Sequence, residues 1–164
     1  TIMSNMGLEV ALKKADIKMV RTKVGDRYVF EEMLNSGYNL GGEQSGHIIF
    51  LDHNTTGDGI LTAVKLINVM VDEQKALSEL REIMTVFPQV IINVRVADKS
   101  KYDGNVHIKE AIAENQKLLG DTGRIVVRPS GTEPLIRVMV EGEEQDLIEK
   151  VANAIADVIK KELQ

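Results

Sequence analysis

Glu43, Ser45 and His47 alternate along the stretch GGEQSGH, residues 41–47. In an extended backbone, residues two apart point to the same side. A carboxylate, a hydroxyl and an imidazole placed this way could hydrogen-bond the neighbouring hydroxyls of one sugar. The same residues also allow a plainer reading. Gly41, Gly42 and Gly46 permit a sharp bend before the apolar Ile48, and a lone histidine beside a strand is often a hydrogen-bonded structural group. A second stretch, RPSGTEPLIR at residues 128–137, has another chemistry. Arg128 offers charge-assisted, bidentate bonds to an oxyanion, Ser130 and Thr132 add hydroxyls, and Gly131 lets backbone N–H groups come close. That is the composition of a phosphate cradle. It is not a Walker loop, because no Gly-Lys-Ser/Thr ends it and a strand follows in place of a helix. A tight hairpin built from Pro, Ser and Gly is the competing reading.

Two further stretches read first as helix starts. In KVGDR, residues 23–27, Gly25 turns the chain and Asp26 sits at the positive end of the next helix. In TTGDG, residues 55–59, Thr56 is the expected cap, although the exposed N–H groups of a helix start also attract anions. The single aspartate there is too little for a dedicated magnesium site. His53 and His107 have no neighbours at metal-ligand spacing, so no metal site is expected.

The elements that must hold these stretches follow from periodicity and punctuation. Gly7–Ala15 predicts a helix, Ile17–Arg21 a short strand, and Asp26–Ser36 a helix ended by Gly37. Leu40–Gly46 has no regular period, and Ile48–Leu51 reads as a buried strand. A longer helix follows Thr56, with Ile60, Leu61, Val64, Ile67 and Val71 as its apolar positions, and then a short helical run over Ala76–Met84. Phe87-Pro88 breaks the pattern, because a residue before proline avoids the helical region. The domain boundary is placed at Thr85–Pro88. Beyond it come a strand (Val90–Ala97), a helix (Val106–Leu119, capped by Asn105 and stopped by Gly120), strands at Arg124–Arg128 and Leu135–Glu141, and a helix at Glu143–Leu163. The last helix carries Leu147, Ile148, Val151, Ile155, Val158 and Ile159 on one stripe, enough to cover a small sheet. The fold class is α/β plus α+β: a layered α/β domain over residues 1–85 and a small α+β domain over residues 86–164.

Composition narrows the function classes. A net charge of −5 gives no general attraction to nucleic acid or to an anionic membrane, so neither is an expected partner. With no cysteine there is no disulfide or cysteine-zinc site, which fits a reducing compartment, and with no apolar run near ~20 residues and no basic-then-apolar start a cytoplasmic protein is expected. The chain opens on Thr-Ile-Met-Ser-Asn, whose first three residues read as the end of an extended segment, as expected of a piece of a longer protein.

Taken in order, TIMSN, VGDRYV, LGGEQSGHIIF, TTGDGILTA and RPSGTEPLIRVMVEG resemble the third and fourth domains of the α-D-phosphohexomutases across essentially the whole chain. Within that family the wording is most similar to the bacterial branch that works on glucosamine phosphates. The resemblance implies an isomerase that interconverts glucosamine 6-phosphate and glucosamine 1-phosphate for cell-wall precursors. A phosphoserine donates its phosphoryl group, a sugar bisphosphate forms, and that intermediate turns over before returning the other phosphate. The family's phosphoserine loop and its Asp-Gly-Asp-x-Asp-Arg magnesium loop are not in this sequence. The resemblance therefore places Mg²⁺ and the reaction centre on missing first and second domains, and leaves this chain catalytically silent alone. Here it implies a third domain lacking its beginning, then a fourth domain with an antiparallel sheet covered by two helices, hinged at Thr85–Pro88.

Carried over by residue, the resemblance gives sugar binding to Glu43 and Ser45, with Gly25 and Asp26 on the loop that helps select the sugar. Arg128, Ser130, Gly131, Thr132 and Arg137 hold the distal phosphate. His47 falls where a proton-handling or orienting group is expected. Glu133 would repel a phosphate if it pointed inward, so it is expected to face away or to orient a basic neighbour. A homodimer of the whole enzyme is implied as a partner. The alternatives are a phosphomannomutase or phosphoglucomutase of the same family and a stand-alone phosphosugar-binding module.

Overall fold

In the computed structural model, which describes residues 1–164, the chain divides into two units, Thr1–Val86 and Phe87–Gln164. In the first unit, helix α1 (Met6–Lys14) begins where the Asn5 side chain accepts the Gly7 N–H at 2.9 Å. Helix α2 (Asp26–Ser36) ends at Gly37, whose φ of 71° is the left-handed cap that glycine adopts without strain. One turn apart on α2, Val29 and Met33 are buried with Ile49 in a small cluster against the hairpin of β1 (Leu40–Gly42) and β2 (Ile48–Phe50). Gly41 makes this approach possible. A Cβ at that position would run into the Met33 Sδ and lie 2.6 Å from the Val29 Cγ1. Helix α3 (Gly59–Glu73), helix α4 (Leu77–Leu80) and a 3₁₀ turn (Arg81–Ile83) complete the unit.

Five local expectations change here. Ile17–Arg21 joins no ladder: an extended segment becomes a strand only through repeated backbone pairing, and the nearest such bond is a single one just beyond it, from the Ile2 N–H to the Thr22 carbonyl at 2.8 Å. Leu40–Gly42 does form a strand. Its glycines hide the signal, and pairing with Ile48–Phe50 supplies the order. The α3 cap is Asp58, not Thr56: the Asp58 carboxylate accepts the N–H groups of Ile60 and Leu61 at 3.0 and 2.9 Å. The run after α3 splits into α4 and the 3₁₀ turn. Finally, α3 buries none of its residues, and Ile60, Val64, Ile67 and Val71 are 50% to 82% exposed. Periodicity defines a face without supplying the surface that would cover it.

The second unit runs β3 (Gln89–Arg95), a 3₁₀ turn (Lys99–Tyr102), α5 (Val106–Leu119), β4 (Gly123–Pro129), β5 (Leu135–Gly142) and α6 (Gln145–Leu163). The Asn105 side chain caps α5 through the Ile108 N–H, and Gly120 ends it. The strand order is β3-β5-β4, with β5 antiparallel to both neighbours. Ile136, Val138 and Val140 on β5 are fully buried in one cluster with Ile148, Val151, Ile155 and Ile159 on α6. Each such side chain contributes about 1.5–3 kcal/mol by leaving water. Strand alternation sends Arg137, Met139 and Glu141 to the face away from that cluster. The register then decides what they meet: Arg128 lies opposite Arg137, and both Arg124 and Gln89 lie opposite Glu141. No helix is long and apolar enough to cross a membrane.

Candidate functional site

The β4–β5 hairpin gathers the residues of the second stretch. At one end of the ladder the charges are matched: fully buried Glu141 accepts from the Arg124 Nε at 2.7 Å and from the Gln89 Nε2 at 3.0 Å. Near the loop two like charges meet across the ladder. Arg128 faces another arginine, and like charges directly opposite on neighbouring strands destabilise a sheet. The Nε atoms of both Arg128 and Arg137 are buried without a hydrogen-bond partner. Burial first, and then the nearby Arg137 charge, push the Arg128 guanidinium below its usual range. It remains cationic at neutral pH, as arginine does in proteins. Buried donors without acceptors are uncommon in native proteins, which sets these two apart.

Residues 130–134 link the two strands. Ser130 is buried, its N–H donates to the Leu135 carbonyl at 2.9 Å, and its Oγ accepts the Glu133 N–H at 3.3 Å. Gly131 and Thr132 are exposed, and neither N–H donates to any group of the chain. The Glu133 carboxylate accepts from the Arg137 Nη2 at 3.0 Å, so it orients a basic neighbour. The stretch is a hairpin turn, and it leaves the N–H groups of Gly131 and Thr132 without an acceptor, next to the Arg128–Arg137 pair.

Two residues here carried no sequence signal. The Lys99 Nζ donates to the carbonyls of Ser130, Gly131 and Glu133 at 2.7, 3.3 and 3.3 Å. Asn93 lies opposite Arg137 in the register, which puts an exposed amide in the same row as the two arginines. Lys99 is 31 positions from Ser130 in the chain, so only folding reveals the pairing.

In the first unit, Glu43, Ser45 and His47 form one network. The Ser45 hydroxyl donates to the Glu43 Oε1 at 2.8 Å and lies 2.9 Å from the His47 Nδ1. Its single proton is committed to the carboxylate, so the oxygen accepts from an Nδ1–H, and the His47 Nε2 is left free to accept or donate elsewhere. The Glu43 Oε1 is also 3.3 Å from that Nδ1. The second Glu43 oxygen accepts the Gly25 N–H at 3.2 Å, which brings the VGDR turn to the GEQSGH turn. Asp26 is exposed and accepts the Arg27 N–H at 2.8 Å. It also lines a recess of about 200 Å³ with Phe30, Ile49, Thr55 and Thr56.

Elsewhere the chemistry suits a phosphate less well. A recess of about 300 Å³ in the second unit carries Glu110, Glu114 and Glu162 against a single lysine, Lys161, with His107 beside them, an acidic balance that disfavours phosphate. No three His, Asp or Glu side chains are grouped so as to hold a metal ion. The one carboxylate of residues 55–59, Asp58, is occupied in capping α3.

Residues 1–87 match the alpha/beta/alpha domain III of phosphoglucomutase/phosphomannomutase, and residues 91–158 match its C-terminal domain. The chain belongs to the phosphoglucomutase/phosphomannomutase family. Among curated members, it is 54% identical over 163 residues to the phosphoglucosamine mutase of Brevibacillus brevis, covering 99% of this chain and 36% of that protein. It is 58% identical over 161 residues to the phosphoglucosamine mutase of Carboxydothermus hydrogenoformans, covering 98% and 36%. The chain thus spans about a third of the length of these family members. In three dimensions it is similar to the N-acetylphosphoglucosamine mutase of Aspergillus fumigatus, with a TM-score of 0.84 at 19% identity over 97% of this chain and 37% of that one. The same fungal enzyme, solved with GlcNAc-6P and magnesium, superposes with a TM-score of 0.78 at 17% identity, covering 96% and 37%. At such identities the likeness is one of fold: the phosphohexomutase domain III and IV layout, with its small antiparallel sheet and helices.

Proposed function

We propose that this chain is the sugar- and phosphate-holding part of a phosphoglucosamine mutase, which interconverts glucosamine 6-phosphate and glucosamine 1-phosphate through a phosphoserine and a sugar bisphosphate. The observation that carries the reading is the pair of buried, unpartnered Nε atoms on Arg128 and Arg137, opposite one another beside a loop with two free N–H groups. Arg128, Arg137, Ser130, Gly131 and Thr132 hold the phosphate that is not reacting. Glu43 and Ser45 bind sugar hydroxyls, with Gly25 and Asp26 bordering them, and His47 presents its free Nε2 to the substrate. Phosphoryl transfer depends chiefly on positioning and charge stabilisation, so a firm hold on the remote phosphate orients the reacting end. Magnesium would supply charge neutralisation at the transferred group. The residues present here do not form a magnesium site, so the ion and the phosphoserine are assigned to segments outside these 164 residues.

The whole enzyme carrying Arg128→Ala tests the reading. Loss of a charge-assisted grip costs about 1.5–3 kcal/mol, so kcat/KM should fall by roughly 10- to 150-fold with the fold intact. An unchanged kcat/KM would remove Arg128 from the site. Measuring turnover of glucosamine, glucose and mannose phosphates in parallel fixes the sugar. Activity confined to mannose or glucose phosphates would reassign the chain within its family.

A further inference from the structure

We propose that Lys99 is a positioning residue for the phosphate loop, acting on the peptide planes and not on the ligand. This rests on the phosphate reading of residues 128–137 and names a residue that the reading does not contain. The Lys99 Nζ lies 2.7 Å from the Ser130 carbonyl and 3.3 Å from those of Gly131 and Glu133. There are no cis peptide bonds in the chain, and in a trans peptide the carbonyl of one residue and the N–H of the next point in opposite directions. With the Ser130 and Gly131 carbonyls turned onto the ammonium, the N–H groups of Gly131 and Thr132 must point away from it. Those are the two loop N–H groups that donate to nothing in the chain. The third carbonyl, on Glu133, precedes Pro134, which has no N–H to aim.

One cation therefore sets two successive donors before any ligand arrives. An exposed loop with free N–H groups would otherwise rotate its peptides, and binding would have to bear the cost of ordering them. The ammonium suits the task because it is a compact charge whose three N–H groups fan out from one nitrogen to three converging oxygens, whereas a planar guanidinium spreads its donors along its edges. Lys99 is half-buried in the turn after β3 and does not belong to the buried apolar cluster, so replacing it leaves the core of the unit untouched.

The test titrates inorganic phosphate into the 164-residue chain and follows backbone amide resonances in the native protein, Lys99→Met, Lys99→Arg and Arg128→Ala. In the native chain, phosphate should shift the Gly131 and Thr132 amides. In Lys99→Met these two resonances should already be displaced without phosphate, with β5 amides unmoved, and phosphate affinity should be about tenfold weaker. Lys99→Arg should recover part of the loss. The inference is overturned if Lys99→Met binds phosphate like the native chain while Arg128→Ala does not, an outcome that leaves the phosphate reading standing. It is equally overturned if Lys99→Arg matches the native chain and the ligand-free Gly131 and Thr132 resonances of Lys99→Met are unmoved, since the lysine then acts by charge alone. If Lys99→Met disturbs β5, Lys99→Arg decides: intermediate affinity supports positioning and native affinity refutes it. Native affinity in Arg128→Ala would bring down the phosphate reading itself, and this inference with it.

Discussion

At the scale of single residues, Gly131 lets folding and the proposed phosphate binding be tested apart. It does not adopt a positive φ, and a Cβ built there meets nothing within 4 Å, so the turn itself does not require glycine. Gly131→Ala should leave thermal stability within about 0.5 kcal/mol of the native chain, as at other unconstrained surface positions. It should nevertheless weaken phosphate binding severalfold by crowding the approach to the free N–H groups, which a melting curve and a phosphate titration on one sample would show. A loss of stability without a loss of binding would make Gly131 a turn residue only. Gly41 is the opposite case, because a Cβ there collides with Met33 and Val29. Gly41→Ala should destabilise the first unit by about 1–3 kcal/mol, read as a lower denaturant midpoint. Three glycines around Glu43 were visible in the sequence as a group. Which of them is needed for packing became visible only once α2 lay on β1.

Among the elements, the ones that local chemistry punctuates emerged from the sequence nearly as they stand. α2 with its Gly37 cap and α5 between Asn105 and Gly120 are specified by residues within a few positions of each end. Replacing Asn105 by alanine removes the bond to the Ile108 N–H and should cost about 1 kcal/mol. An unchanged unfolding midpoint would show that the Asn105 cap contributes nothing to the unit. Elements whose order comes from a neighbour were not legible. β1 exists because β2 pairs with it, Ile17–Arg21 stays irregular because nothing does, and α3 shows an apolar stripe with no residue buried. That stripe predicts binding of an apolar fluorescent dye by the 164-residue chain, reduced when Ile67 and Val71 are replaced by lysine. Equal dye binding by the double variant would place the exposed apolar surface elsewhere.

Across the molecule, the two units differ in how much they bury. The second holds fourteen residues in its buried apolar cluster and the first holds three. Amides of β5 should therefore exchange slowest with solvent and those of the first unit fastest, as native-state hydrogen exchange would reveal. The reverse order would mean that something other than apolar burial stabilises the first unit. The types and order of the candidate site residues, the ends of α2 and α5 and the apolar stripe of α6 were determined by the sequence itself, because each depends on chemistry spanning a turn or two of chain. Arg128 facing Arg137, Lys99 turning the loop carbonyls and Glu43 holding the Gly25 N–H were decided only by the tertiary structure. Each of these contacts joins atoms that strand register or packing brings within a few ångströms, and no local propensity of the chain encodes that distance.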